Sequence, residues 1–424
     1  MTRLLPVTVI VFPVIIDLIN GYFVATGKAG LLSLGVVFRG LIILVGLYFL
    51  LMQTTALRVL LVLFLVMFFC ENIFWGLYCD VSDPIYEINR AFKLLFPWFI
   101  VAILLYLHRK YRLEQQFIFK LVVVTGFLTA ACLVFSLILG IGFHTYGDFS
   151  YGVKSFFEAQ NDTGLTLLIS LVVAVYVFLE SPKILNFLSI VVIVSGCLLV
   201  GTRAGLIGPV LIFFSFGVAA ILNKKIVVPK NKGYVFTVIM LIGIASLLFS
   251  GLYFLFTHME HIDFIIGKLE MLTQETPRYK LEAAGSARIM ERELLKNIFG
   301  EGGISFAKHV GFIVNKSNIT DFGKSGHIVE NDVYDVFGYY GIVLSLYIYF
   351  WLTLLFLLCL AKAIFHYSRL HVTLLIFFLI FLGHSSVAGH GLFSAQVGNV
   401  MGPLYFLLLL NCTRMAQGRD FQPA

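Results

Sequence analysis

Charge is what this chain has least of. Asp, Glu, Lys and Arg together supply 12% of its 424 residues, against 60% that are hydrophobic, and the mean hydropathy is +0.96. So few charges cannot cover a water-soluble surface, which excludes a soluble globular enzyme and makes the bilayer the solvent. Short segments of alternating polarity are also missing, which excludes a membrane β-barrel. The six cysteines lie scattered in apolar segments without C-x-x-C spacing, an argument against a zinc site or a disulfide framework. Cys70 and Cys79 flank one predicted loop, where they either pair or pack inertly. No DxD-like metal motif stands out in the loops, and there is no inverted internal repeat of the kind transporters carry. The Met-Thr-Arg start runs straight into an apolar stretch without a small-residue cleavage signature, so the first helix is expected to be retained.

Apolar runs of about 17 to 25 residues, each long enough to span a hydrocarbon core as a helix, recur along most of the chain. The pattern predicts an all-α, polytopic membrane protein with about twelve transmembrane helices, near residues 7–25, 31–51, 56–70, 91–107, 117–140, 163–179, 184–200, 204–222, 234–256, 331–360, 371–388 and 395–413. Alternate connections carry the basic residues, including Arg109, Lys110, Arg112, Lys183, Lys224, Lys225, Lys362, Arg369 and Arg414. The net charge of +7 therefore orients helices rather than marking a nucleic-acid binder, and puts those connections and both termini in the cytoplasm. Three parts follow: helices one to nine over 1–256, a large outward loop over 257–330, and helices ten to twelve over 331–424. The loop is expected to hold two amphipathic helices. Met259, Ile262, Ile266 and Leu269 line the first, and Ile289, Leu294, Leu295 and Ile298 mark the second, with Ser286 as its N-cap and Gly300, Gly302 and Gly303 at its end.

An ionisable side chain at the centre of a membrane helix costs about 2.5 to 3.5 kcal/mol, so each one asks for a reason. Asp17, Arg39, Arg90, Lys93, Lys154, Arg203, Glu330, Asp332 and Asp335 all fall at or near the outward ends of predicted helices. Such a band suits a cavity that holds an anionic head group while its lipid tail stays in the membrane; the plainer reading is mutual pairing or snorkelling to the interface. Arg203 is the sharpest case. It sits in Gly201-Thr202-Arg203-Ala204-Gly205, a small-residue turn where a ligand could approach the backbone, and its planar fork suits a diphosphate. A solvated arginine in a simple interhelix turn is the alternative.

Segments taken in order from about residue 150 to 350 resemble the O-antigen ligase and Wzy-type polymerase superfamily, bacterial membrane glycosyltransferases of GT-C-like architecture. Lys154-Ser-Phe-Phe-Glu-Ala-Gln-Asn161-Asp-Thr-Gly164 is similar to the family's approach to a membrane helix, and Gly-Thr-Arg203-Ala-Gly to its arginine turn. Ser286-Ala-Arg288, then a helix and Phe299-Gly300-Glu-Gly-Gly303, resembles part of the long periplasmic loop, and Glu330-Asn331-Asp332-Val-Tyr334 followed by Gly341 resembles the start of the next helix. Many ligases carry a histidine where this chain has Glu330; the nearest histidine is His327, and an acidic residue there looks similar to many polymerases.

The resemblance implies an undecaprenyl-diphosphate-linked oligosaccharide as donor and acceptor, no cofactor and no metal, and a multi-pass protein of the bacterial inner membrane whose active site faces the periplasm. It also implies a flippase and a chain-length regulator as partners. Arg203 and Arg288 would then stabilise charge developing on the diphosphate, with Lys154, Arg39 and Asn161 in the substrate-binding set. Glu330 or His327 would accept the proton of the attacking hydroxyl; the alternative for Glu330 is a carboxylate favoured by a helix N-terminus. Asn331, Asp332 and Tyr334 would bind sugar hydroxyls, or merely cap the helix. His384 and His390 either face the cavity as metal ligands or pack. Polymerisation of repeat units into a surface polysaccharide is the favoured expectation. A ligase moving finished glycan to lipid A core shares its chemistry, and a transporter or lipid flippase is the reading from another class.

Overall fold

The computed structural model of the protein describes residues 3–28, 33–52, 55–79, 84–146, 151–222, 277–315 and 329–415. The apolar runs fold as α1 (Leu4–Ile10), α2 (Phe12–Ala25), α3 (Leu34–Leu51), α4 (Thr55–Tyr78), α5 (Pro84–Tyr111), α6 (Gln115–Leu139), α7 (Gln160–Glu180), α8 (Ile184–Val200) and α9 (Arg203–Leu222). Further along come α10 (Pro277–Glu291), α11 (Leu294–Phe299) and α12 (Gly303–Asn315), and then α13 (Asp332–Phe365), α14 (Arg369–Val387) and α15 (Ala395–Met415). Among the described residues, seven helices are long and apolar enough to cross a membrane, namely α3 to α7, α13 and α14. The α1–α2 pair, bent by 41°, makes an eighth. Pro13 supplies the bend, since a proline near the start of α2 cannot donate to the turn before it. The chain is a helical, polytopic membrane protein.

Association without a hydrophobic driving force relies on small residues that let backbones approach. Gly398 and Gly402, four apart on α15, face Phe96 and Ile100 of α5. Gly126 of α6 receives Ser170 of α7, and Gly196 of α8 receives Ala130 of α6. α7 is the axis of the bundle, with 94% of its spanning window buried. α4 is held loosely: 28% of its window is buried, and it packs mainly against α3 and α13. α14 runs antiparallel to α7: Arg369 at its start donates to the Leu179 carbonyl, while Ala388 just beyond its end accepts from Asn161 at the start of α7.

Several expectations are corrected. The predicted loop after residue 70 is helical to Tyr78, so Cys70 and Cys79 lie along one helix too far apart to bridge, and both are free. Two short strands, β1 (Phe143–Tyr146) and β2 (Tyr151–Ser155), pair antiparallel, an addition to the all-helical expectation. Ser286 is interior to α10 rather than an N-cap; the break falls later, where Glu293 precedes α11. Gly300 does end that helix, whereas Gly302 precedes α12 and Gly303 begins it. The predicted helix over 234–256, the one over 259–269, and His327 lie outside the described residues.

α13 is broken at Gly341, whose φ of 62° and ψ of −165° interrupt the helix. A methyl group there would come within 2.3 Å of the Gly300 nitrogen and 2.5 Å of the Ile298 oxygen, so the break and the end of α11 are fitted to one another. Arg292 caps the exposed end of the first half. Its Nη1 donates to the Gly338 carbonyl and its Nη2 to the Phe337 carbonyl, both at 2.9 Å, which satisfies acceptors that a helix end leaves open. Burial pushes the Arg292 guanidinium down to about 10, against the nearby Glu301 carboxylate, which pulls it up; it stays charged at neutral pH.

Candidate functional site

Polar side chains collect where α7 and α13 begin and α14 ends. The first group surrounds the start of α7. Arg39 of α3 donates from Nη2 to both Asp17 oxygens, at 2.6 and 2.7 Å. Asn20, a turn further along α2, donates to Glu158 at 3.0 Å. Gly21 beside it lets the Phe156 carbonyl rest against the helix, where any Cβ would overlap it. Lys154, on β2, donates to the Glu158 carbonyl at 3.2 Å and lies 5.4 Å from the Phe143 ring. Lys93 of α5 is within electrostatic reach of Asp162, Arg90, Arg39 and Glu158 and makes no hydrogen bond among the described residues.

Arg203 opens α9 beside this group. Gly201 takes the left-handed backbone that ends α8, and Thr202 caps the next helix by accepting from the Gly205 amide at 3.1 Å. Thr202 packs against Gly164 of α7. The Arg203 guanidinium is half-buried and has neither an ion pair nor a hydrogen bond among the described residues. α7 itself has Ala159 at its N-cap, with no side chain satisfying its first amides, an end that favours negative charge.

The second group is the junction between Glu330–Asp332 and the connection from α14 to α15. Asn331 caps α13, its Oδ1 accepting from the Val333 amide at 3.1 Å, while its Nδ2 donates to the Ser386 carbonyl at 2.8 Å and to Glu282 of α10 at 3.1 Å. Asp332 is buried; one oxygen accepts from the Ser385 hydroxyl and from the Leu392 amide, the latter at 3.0 Å. Its other oxygen has no hydrogen-bond partner among the described residues. Tyr334 is half-buried against the core. Asp335 accepts from the Tyr339 hydroxyl at 2.7 Å and the Val329 amide at 3.2 Å. Glu330 is half-exposed and carries a positive φ of 59°, as does His390 opposite it at 63°. Such backbone is costly for a residue with a side chain and gathers at functional sites.

Between the groups runs one face of α5, where Glu87, Arg90 and Lys93 recur at helical spacing. Arg90 is buried, 3.9 Å over the Tyr339 ring and 4.9 Å over Phe393, and donates to the Tyr86 hydroxyl at 2.8 Å. Glu87 accepts from the Ile304 amide at 2.9 Å and so ties α5 to the start of α12.

Arg288 is drawn elsewhere. Its Nε and Nη2 close on both oxygens of Glu301, at 3.0 and 2.6 Å, and Glu301 is fully buried. Of the residues singled out from sequence, the structure thus brings Arg39, Lys154 and Asn161 together around the start of α7, with Arg203 beside them, and Asn331, Asp332 and Glu330 together at the junction. It commits Arg288 to a buried ion pair. Glu301, Glu87, Arg292 and Glu158 were missed; only the spacing of Glu87 with Arg90 and Lys93 signalled a shared face in advance.

An apolar groove lies against the junction. Leu61 and Phe64 of α4, Leu94 and Trp98 of α5, and Tyr347 and Trp351 of α13 line its sides. It reaches Gly391 and Leu392, the segment whose amide holds Asp332. No protein-family model matches the chain, and no curated protein matches it either.

Proposed function

We propose that this protein is a membrane glycosyltransferase that polymerises oligosaccharide repeat units carried on undecaprenyl diphosphate into a surface polysaccharide. The observation that carries this reading is the half-buried guanidinium of Arg203, without a partner among the described residues, beside the first turns of α7, where the Lys93 ammonium is within electrostatic reach of Asp162. Cations kept out of ion pairs in apolar surroundings are suited to a diphosphate, whose charge grows as it leaves. The groove running to the junction gives the attached hydrocarbon chain a place to lie, so that head group and tail are held at one time. The carboxylates of the junction offer hydrogen-bond acceptors to the attacking sugar.

The test is Arg203→Ala in cells that make the polysaccharide. Polymer synthesis is expected to fall by about 10²–10³-fold, the usual effect of removing one donor to a developing anion, leaving single repeats on the acceptor. Loss of all attached glycan instead would identify a ligase acting by the same chemistry, and a normal ladder would refute the transferase reading.

One observation favours transport instead. The side-chain polar atoms of Thr166 and Ser170 on α7 and of Asn399 on α15 are buried without hydrogen-bond partners among the described residues, polar groups deep in the bundle. Movement of lipid-linked glycan across vesicles by purified protein, with no transfer product, would select that reading.

A further inference from the structure

Three contacts fix the connection between α14 and α15 across the residues that open α13. The Ser386 carbonyl accepts from Asn331. A Cβ on Gly389 would fall 2.3 Å from the Glu330 carbonyl carbon, so the two backbones touch there and the position requires glycine. The Leu392 amide is bonded to Asp332. His390 lies between the last two anchors, so its ring is confined to the neighbourhood of Glu330 and Asp332. Both buried carboxylates of α13, Asp332 and Asp335, feel it electrostatically.

His390 is half-exposed and makes no hydrogen bond among the described residues. It also holds a left-handed backbone that histidine occupies only at a cost. A packing histidine would need neither that conformation nor an open ring nitrogen. An imidazole with no partner among the described residues, and with two buried carboxylates within electrostatic reach, is the arrangement a general base needs.

We infer that His390 accepts the proton of the attacking sugar hydroxyl, in place of Glu330 or His327, an inference that rests on the transferase reading above. The hydroxyl oxygen forms a bond to the anomeric carbon of the donor while the bond from that carbon to the diphosphate oxygen breaks. The diphosphate departs with the bonding pair, and the hydroxyl proton passes to the imidazole. Asp332 and Asp335 stabilise the imidazolium, which then gives its proton to the departing diphosphate or to water. Glu330 is left to bind sugar hydroxyls.

The experiment uses the purified full-length protein in liposomes, supplied with undecaprenyl-diphosphate-linked repeat units isolated from cells that lack this gene. His390→Asn is the main variant, because asparagine tolerates left-handed backbone. Its turnover is expected to drop about 10²–10⁴-fold, the range for loss of a general base, with KM within about threefold and an unchanged unfolding midpoint. His390→Gly keeps the backbone and leaves a gap, so added imidazole should restore part of its turnover. The acidic limb of the pH profile should vanish in His390→Asn and persist in Glu330→Gln. The titratable and charged groups facing this region are Glu330, Asp332 and Asp335, with Glu282 of α10 bonded to Asn331 and Arg90 of α5 within electrostatic reach of Asp335. Turnover of His390→Asn within about threefold of wild type, or a loss in His390→Gly that imidazole does not relieve, overturns the inference while leaving the transferase reading in place. Failure of the wild-type protein to transfer glycan at all overturns both.

Discussion

Arginines that look alike in the sequence do different work. Arg288 and Glu301 form a pair in which the carboxylate is completely enclosed, and removing one partner of a buried pair leaves an uncompensated charge. Arg288→Ala is therefore expected to destabilise the protein by about 3–5 kcal/mol, read as a lowered unfolding midpoint in detergent. Arg203→Ala removes a group without a described partner and should leave that midpoint almost unchanged. If both variants lose activity, only this comparison separates a site from a strut. The sequence drew attention to Arg203 because its neighbours are small and no other charge lies close to it in the chain; the structure makes it the first residue of α9. The sequence also made Asn331 legible, since a cap before an apolar run reports its own position. Glu301 and Arg292 could not be read in advance: their partners are 13 residues away in the first case and 45 and 46 in the second, and only the folded chain brings them together.

Elements differ in how far local pattern determines them. α8 spans the residues its apolar run predicts, Ile184–Val200, because polar residues bound it on one side and a left-handed glycine on the other. α4 and α5 outrun their predicted ends. Glu71 in one and Glu87 and Arg90 in the other look like loop residues until the contacts that cover them are known. The β1–β2 pair has no clear sequence signal, because its strands are short and its anchor is tertiary, the Ser136 hydroxyl donating to that of Ser155 at 2.6 Å. The break in α13 is the most exacting element. Gly341→Ala is expected to cost about 1–2 kcal/mol for the left-handed backbone alone, and more for the overlap with Ile298 and Gly300. Arg292→Lys should cost about 1.5–3 kcal/mol, because an ammonium cannot reproduce the paired bonds to Phe337 and Gly338. Thermal unfolding would register both, and near-wild-type midpoints would mean that the α11–α13 contact carries little of the fold.

For the molecule as a whole, composition alone established the solvent, whereas of the twelve spans expected the described residues show seven, or eight with the bent α1–α2 pair. The site did not follow so directly, because it is assembled from the starts of α7, α9 and α13 and the end of α14, which are far apart in the chain. The groove belongs to this scale as well. Leu61→Trp should obstruct it, and the expected result is a rise of about tenfold or more in the apparent KM for an undecaprenyl-linked donor, with little change for one carrying a short prenyl chain that does not reach the obstruction. Equal effects on both donors would show that the groove does not select for chain length.

The loose attachment of α4 has a consequence for how any occupant arrives. A slot flanked by so lightly packed a helix admits its guest sideways, from within the plane of the bilayer, so the supply rate follows the guest's number per phospholipid rather than its amount per litre. Diluting the vesicles in buffer would then leave turnover unaltered, whereas diluting the guest with added phospholipid would slow it.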